Sequence, residues 1–223
     1  MTDTSDAPEH GGARRSQARG RQRRARLLVA ASTLLGEREL DEISLQDLAK
    51  EAGIPTGSAY HFYANASDAF AALTEEIGDD LSAALREPIS PDRLTVWEDV
   101  IEVAAERAVR FYAARADARQ LLIGPKTQAQ YKRSDRENDR RLGSILRDHI
   151  AEVFVLPEIP YEDDVYFHAV EIIDLFYSLS TMRNGGITPE MAAEAVRAAV
   201  AYLRTYLPAA LPRATSQREV ADG

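Results

Sequence analysis

The chain has 223 residues, 45% of them apolar, enough to bury a core in one large or two small domains. It has no cysteine, which excludes a disulfide framework and thiolate chemistry, and no run of about 18 apolar residues, which excludes a membrane-spanning helix. The net charge of −9 is uneven: residues 14–66 hold nine Lys/Arg against six Asp/Glu, whereas residues 67–223 hold 18 against 27. Positive charge gathered at one end above an acidic body suits a polyanionic partner met by that end alone.

Residues 1–20 read as a disordered basic arm. Arg14, Arg15, Arg19, Arg21, Arg23, Arg24 and Arg26 lie in or just after it, where they can follow a phosphate backbone or enter a minor groove. The arm is polar and lacks the apolar segment of a secretory signal, so a cytoplasmic protein is expected. A first helix follows, with Leu27, Leu28, Ala31, Leu34 and Leu35 on one face.

Residues 43–63 then read as a helix-turn-helix. Ser44 is an N-cap with Asp47 three residues on, a capping box with Asp in the usual Glu place. Leu45, Leu48, Ala49 and Ala52 form the inner face, Gly53 ends the helix in the left-handed conformation, and Ile54 anchors the turn. Pro55 suits the first turn of a second helix running to about Tyr63. Ala59 and Tyr63 face inward, while Thr56, Ser58, Tyr60 and His61 face outward, short or polar enough for phosphates and base edges. Ser44, Gly57, Arg21 and Arg23 join them as candidate DNA contacts. The plain alternative is an ordinary helical hairpin in an all-α protein.

Residues 67–207 read as helical throughout. A fourth helix, about 67–86, links the two domains through Phe70, Leu73, Ile77, Leu81 and Leu85. Ser90-Pro91-Asp92 predicts a fifth helix over about 91–115, followed by helices at about 117–123, 127–155, 161–184 and 189–207. Residues 208–223 read as a disordered tail. The last two helices look like a dimer surface. One is apolar over a wide arc that includes Ile172 and Leu179, and the other carries Val196, Ala199, Val200 and Leu203. The alternative is a pair of helices buried in a monomer.

Catalytic signals are weak. His149 and His168 are isolated and read as surface or core histidines. Glu162, Asp163 and Asp164 suit the first turn of a helix. Gly124-Pro125-Lys126-Thr127 lacks the glycine spacing and strand of a phosphate loop, and Asn65-Ala66-Ser67 reads as a helix cap. No enzyme activity, metal or cofactor is expected.

The apolar first helix, Ser44-Leu45, Leu48-Ala49, Ala52-Gly53-Ile54, Gly57-Ser58-Ala59-Tyr60 and the pair Phe62-Tyr63 resemble the N-terminal DNA-binding domain of the TetR family of transcriptional regulators. The resemblance covers about residues 22–75. Phe62 stands where the family usually has Tyr or His, and Ala66 where it usually has Lys. The resemblance implies an all-α chain with a three-helix DNA-binding domain over 21–66 and a helical ligand-binding and dimerisation domain over 67–207, about nine helices in all. It implies a homodimer on a palindromic operator in double-stranded DNA. It also implies a small-molecule effector in a cavity of the C-terminal helices, for which Trp97, Ile101, Phe111, Leu121, Tyr131, Glu171 and Phe176 are candidates. The expected function is a ligand-responsive dimeric repressor. The alternatives are an activator or architectural protein without ligand control, or a small all-α enzyme using that cavity.

Overall fold

A computed structural model describes residues 9–127 and 129–214, with side chains from residue 17 to 127 and from 136 to 214. The described residues form nine α-helices and no strand, and the chain divides into two compact units, Met1–Leu73 and Thr74–Gly223.

The first unit holds α1 (Glu9–Glu37), a 3-10 turn at Leu40–Glu42, α2 (Leu45–Glu51), α3 (Thr56–Phe62) and the start of α4 (Ala66–Arg86). Residues 9–20, expected to be an irregular arm, continue α1 instead. Ala, Arg and Gln between the glycines are good helix formers, and the helix extends from an already packed turn. The inner stripe Leu27, Leu28, Ala31, Leu34 and Leu35 is buried, as are Leu45, Leu48 and Ala49 of α2 and Ala59 of α3.

Local chemistry fixes both ends of α2. Ser44 Oγ accepts from the Asp47 N–H at 3.2 Å, and the Ser44 N–H donates to Asp47 Oδ2 at 2.9 Å. The Ser44 hydroxyl and backbone N–H hold the Asp47 carboxyl below its usual range. That help to folding is therefore present above the ordinary carboxylate value and fades as pH falls through the depressed one. At the other end the Ile54 N–H reaches Ala49 O at 3.0 Å and the Gly53 N–H reaches Lys50 O at 3.1 Å. Gly53 has φ +60°. This pairing is the Schellman closure, and it needs a left-handed residue at Gly53.

Gly53→Ala is expected to destabilise the protein by about 1–2 kcal/mol, the cost of a Cβ in left-handed backbone. Gly53→Asn should cost less, since Asn tolerates that region. Urea midpoints test this; equal losses for both variants would mean that space beside Arg26, not backbone conformation, is limiting.

The second unit holds the rest of α4, a 3-10 turn at Pro91–Arg93, α5 (Glu98–Ala114), α6 (Ala116–Leu121), α7 (Ala129–Ala151), α8 (Glu162–Asn184) and α9 (Pro189–Leu203). Ser90-Pro91-Asp92 opens only the short turn. The fifth helix starts later than expected because the Asp99 carboxylate accepts the N–H groups of Thr95 and Val96 at 2.6 and 2.9 Å and caps it there. α7 meets α8 closely at Gly143, where a Cβ would lie 2.7 Å from Phe167 N. Arg115 ties the α5–α6 corner to α4 through Asp117 and Asp80, both at 2.9 Å.

Residues 208–214, expected to be disordered, pack against this unit. Pro208 O accepts the Trp97 indole N–H at 3.0 Å, the Val155 N–H reaches Pro212 O at 2.8 Å, and the Ala214 N–H reaches Val153 O at 2.9 Å. A buried indole N–H needs an acceptor, and the tail supplies it.

Candidate nucleic-acid interface

α3 is one turn longer than its capping would suggest on sequence alone, because Pro55 O receives both the Ser58 and Ala59 N–H groups, at 2.8 and 3.3 Å. Ala59 and Tyr63 point into the core. Thr56, Gly57, Tyr60 and His61 are exposed and Ser58 is half-buried, so the outer row is the one the helical spacing predicts. Tyr60 is 51% exposed, unusual for so large a ring without a partner surface. His61 packs edge-on against the half-buried Phe62 with centroids 5.3 Å apart. Ser44 is exposed, but its hydroxyl donates to Asp47 Oδ2 at 2.6 Å.

The arginines divide into two groups. Arg21 and Arg23 are exposed on α1. Arg24, Arg26 and Arg38 are engaged by the domain itself. Arg24 Nε donates to the Tyr63 hydroxyl at 3.0 Å with its guanidinium 5.9 Å from the ring centroid, Arg26 donates to Gly53 O at 3.3 Å, and Arg38 bonds Glu42 O and pairs with Asp47 at 3.5 Å. Sequence reasoning missed this. The available signal was Tyr63 itself, whose ring is buried by spacing and whose hydroxyl must then find a partner. The side chains of Arg14 and Arg15 lie outside the described residues. The start of α4 is capped as expected, with Asn65 Oδ1 accepting the Asp68 N–H at 3.0 Å.

In the second unit the expected ligand residues are not brought together. Trp97, Ile101 and Leu121 are completely buried, and Phe111 is half-buried with Arg115 stacked 5.6 Å from its ring. The Tyr131 side chain lies outside the described residues. Glu171 lines a cavity of about 150 Å³ with Arg136, Asp139 and Asp174. Phe176 is half-buried on α8. A central apolar cavity of only about 40 Å³ sits between α4, α5, α7 and α8, bordered by Leu81, Ala105, Leu146, Ile173 and Tyr177.

Of the expected dimer residues, Ala199 and Leu203 are completely buried inside their own chain. α9 is apolar on several faces, and the Ala195–Ala199–Leu203 stripe is the one that packs inward. Val196 lines an open groove against α5, and Val200 is half-buried. On α8 Ile172 and Leu179 are half-buried, and they share a seam with Leu175 and Met182, each 57% exposed. His168 continues that seam and meets the Tyr202 hydroxyl at 3.1 Å, so the Tyr202 side of α9 borders it. Burial, and then the Tyr206 hydroxyl, push Tyr202 up to about 12. Among the described residues no helix is long and apolar enough to cross a membrane.

No family model matches the chain, and no curated protein matches it. Solved structures do. A TetR-family transcriptional regulator from Streptomyces coelicolor superposes with a TM-score of 0.63 at 20% identity, over 83% of this chain and 99% of that one. A TetR transcriptional regulator from a Rhodococcus species gives 0.61 at 20% identity, over 82% and 96%. The TetR family repressor AlkX from a Dietzia species, implicated in biodegradation of n-alkanes, gives 0.50 at 16% identity, over 82% and 96%. The chain therefore has the all-α fold of these TetR-family regulators, with an N-terminal helix-turn-helix and a C-terminal helical unit.

Proposed function

We propose that the chain is a dimeric DNA-binding transcriptional regulator of the TetR kind, a repressor released from a palindromic operator by a small molecule. One observation carries the reading: Thr56, Gly57, Tyr60 and His61 stand exposed on a short helix whose other side, Ala59 and Tyr63, is locked in the core. That is a rigid row of polar side chains sized for a major groove. Arg21 and Arg23 add exposed positive charge on α1, and the repressor function printed for the Dietzia protein agrees with this sign of control. The exposed seam of α8 supplies the two-fold contact. α4 belongs to both units, so an effector bound among the C-terminal helices acts on the DNA-binding unit by shifting the population of α4 positions. The protein works in the cytoplasm and catalyses nothing.

The central cavity of about 40 Å³ is far below the roughly 300 Å³ of a typical small-molecule site. An effector there must select an opened core, and its apparent affinity falls by the fraction of chains that are open. The same small cavity favours a second reading, a DNA-binding activator or architectural protein without ligand control.

Footprinting on the DNA upstream of its own gene tests the reading. A protected two-fold site is expected, and protection of no segment would overturn it. Binding should weaken steeply with salt, and Arg21→Gln and Arg23→Gln should each lower the log–log salt slope by about 0.9. Unchanged slopes would mean that these arginines do not meet phosphate.

A further inference from the structure

Where α6 and the α8–α9 turn face the end of α5, the second unit has a pocket of about 180 Å³ lined by Val109, Tyr112, Ala113, Arg119, Gly185, Gly186 and Ile187. Its walls are apolar apart from one group. The half-buried Arg119 guanidinium closes the C-terminal end of α5 by donating through one nitrogen to Tyr112 O and Ala113 O. Its other N–H groups meet no acceptor among the described residues, and no carboxylate lies within ion-pair distance of it there. The Gly186 and Ile187 N–H groups in the facing turn also lack an acceptor among the described residues.

A partly desolvated guanidinium with spare donors is a fork for a planar anion. Every other exposed wall of the pocket suits hydrocarbon. We propose that this pocket binds a short apolar carboxylate, with its head on Arg119 and its tail on Val109, Tyr112 and Ile187. The orientation follows from charge. Val109 also borders the open groove of about 460 Å³ between α5 and α9, whose rim carries Glu102 and Glu106. A carboxylate head is repelled there, and a tail passing Val109 finds Ala192 and Val196.

The test titrates the wild-type protein, without DNA, with hexanoate by calorimetry at low salt, and repeats it with hexanamide, hexylamine and acetate. Saturable hexanoate binding is expected. Hexanamide and hexylamine should bind about tenfold or more weakly, the cost of one charge-assisted hydrogen bond. Acetate should also be weaker, for want of a tail. Arg119→Gln should abolish the preference for hexanoate over hexanamide. Since Arg119 also caps α5, that variant can lose stability, and the ligand series on the wild type then decides alone. No hexanoate binding, equal binding of hexanoate and hexanamide, equal binding of acetate and hexanoate, or a folded Gln variant that keeps the preference would overturn the proposal. None of these outcomes depends on whether the protein regulates transcription.

Discussion

Leu179→Arg is expected to yield a folded monomer that no longer holds its operator. Leu179 lies at the middle of the α8 seam made by His168, Ile172, Leu175, Leu179 and Met182, spaced three and four residues apart. Nothing polar on this seam is placed to receive a charge. In a two-fold contact the substitution buries two guanidinium groups, and each unpaired charge taken out of water costs several kcal/mol. Half-sites bound by separate monomers lose the gain of linked binding. Met182→Arg, at a more exposed position of the same seam, should act in the same direction with little effect on the melting of the chain itself. Leu203→Arg should differ in kind: Leu203 is completely buried within its own chain, so this variant should unfold rather than dissociate. Light scattering and circular dichroism on the three proteins separate these outcomes. A wild type that is already monomeric, or a dimeric Leu179→Arg protein, would sink the proposed contact.

The parts legible in the sequence are those set by neighbours along the chain. Ser44, Asp47 and Gly53 close α2 with bonds that span three to five residues, and the Ala59–Tyr63 spacing alone tells which side of α3 faces in. The parts that escaped depend on groups far apart. The Ser90-Pro91 signal was a sound local cue, but Asp99 captures the N–H groups ahead of α5. Residues 208–214 look like a tail until Trp97, 111 residues from Pro208, is seen to need its carbonyl. On α9 nearly every position is Ala, Val or Leu, so periodicity could not separate the inward stripe from the groove against α5. The arginine arm carried one message, charge, and could not reveal that Arg24, Arg26 and Arg38 hold the domain together. The Arg119 pocket had no sequence signature at all, because its residues come from three separate stretches of chain.

The row on α3 should divide under mutation into positioning and reading. Tyr60 is broad and exposed, and its hydroxyl stands away from the core, as a phosphate contact requires. Tyr60→Phe is expected to weaken operator and random DNA alike, by on the order of 1.5–3 kcal/mol for a lost bond to a charged group, or roughly tenfold to 150-fold. Thr56 and His61 are exposed on the same helix, Thr56 at its first residue and His61 near its end. Thr56→Ala and His61→Ala should instead lower the ratio of operator to random binding, by about 1–3 kcal/mol for each lost base contact. Phosphate bonds carry no sequence information, whereas base-edge bonds exist only on the right sequence. Neither group of substitutions removes a buried atom, so melting temperatures should not move, and a loss of binding cannot be laid to unfolding. Titrations on operator and scrambled duplexes at a single salt concentration distinguish the two effects. If all three variants bind both duplexes as the wild type does, α3 is not the recognition helix and the regulatory reading fails with it.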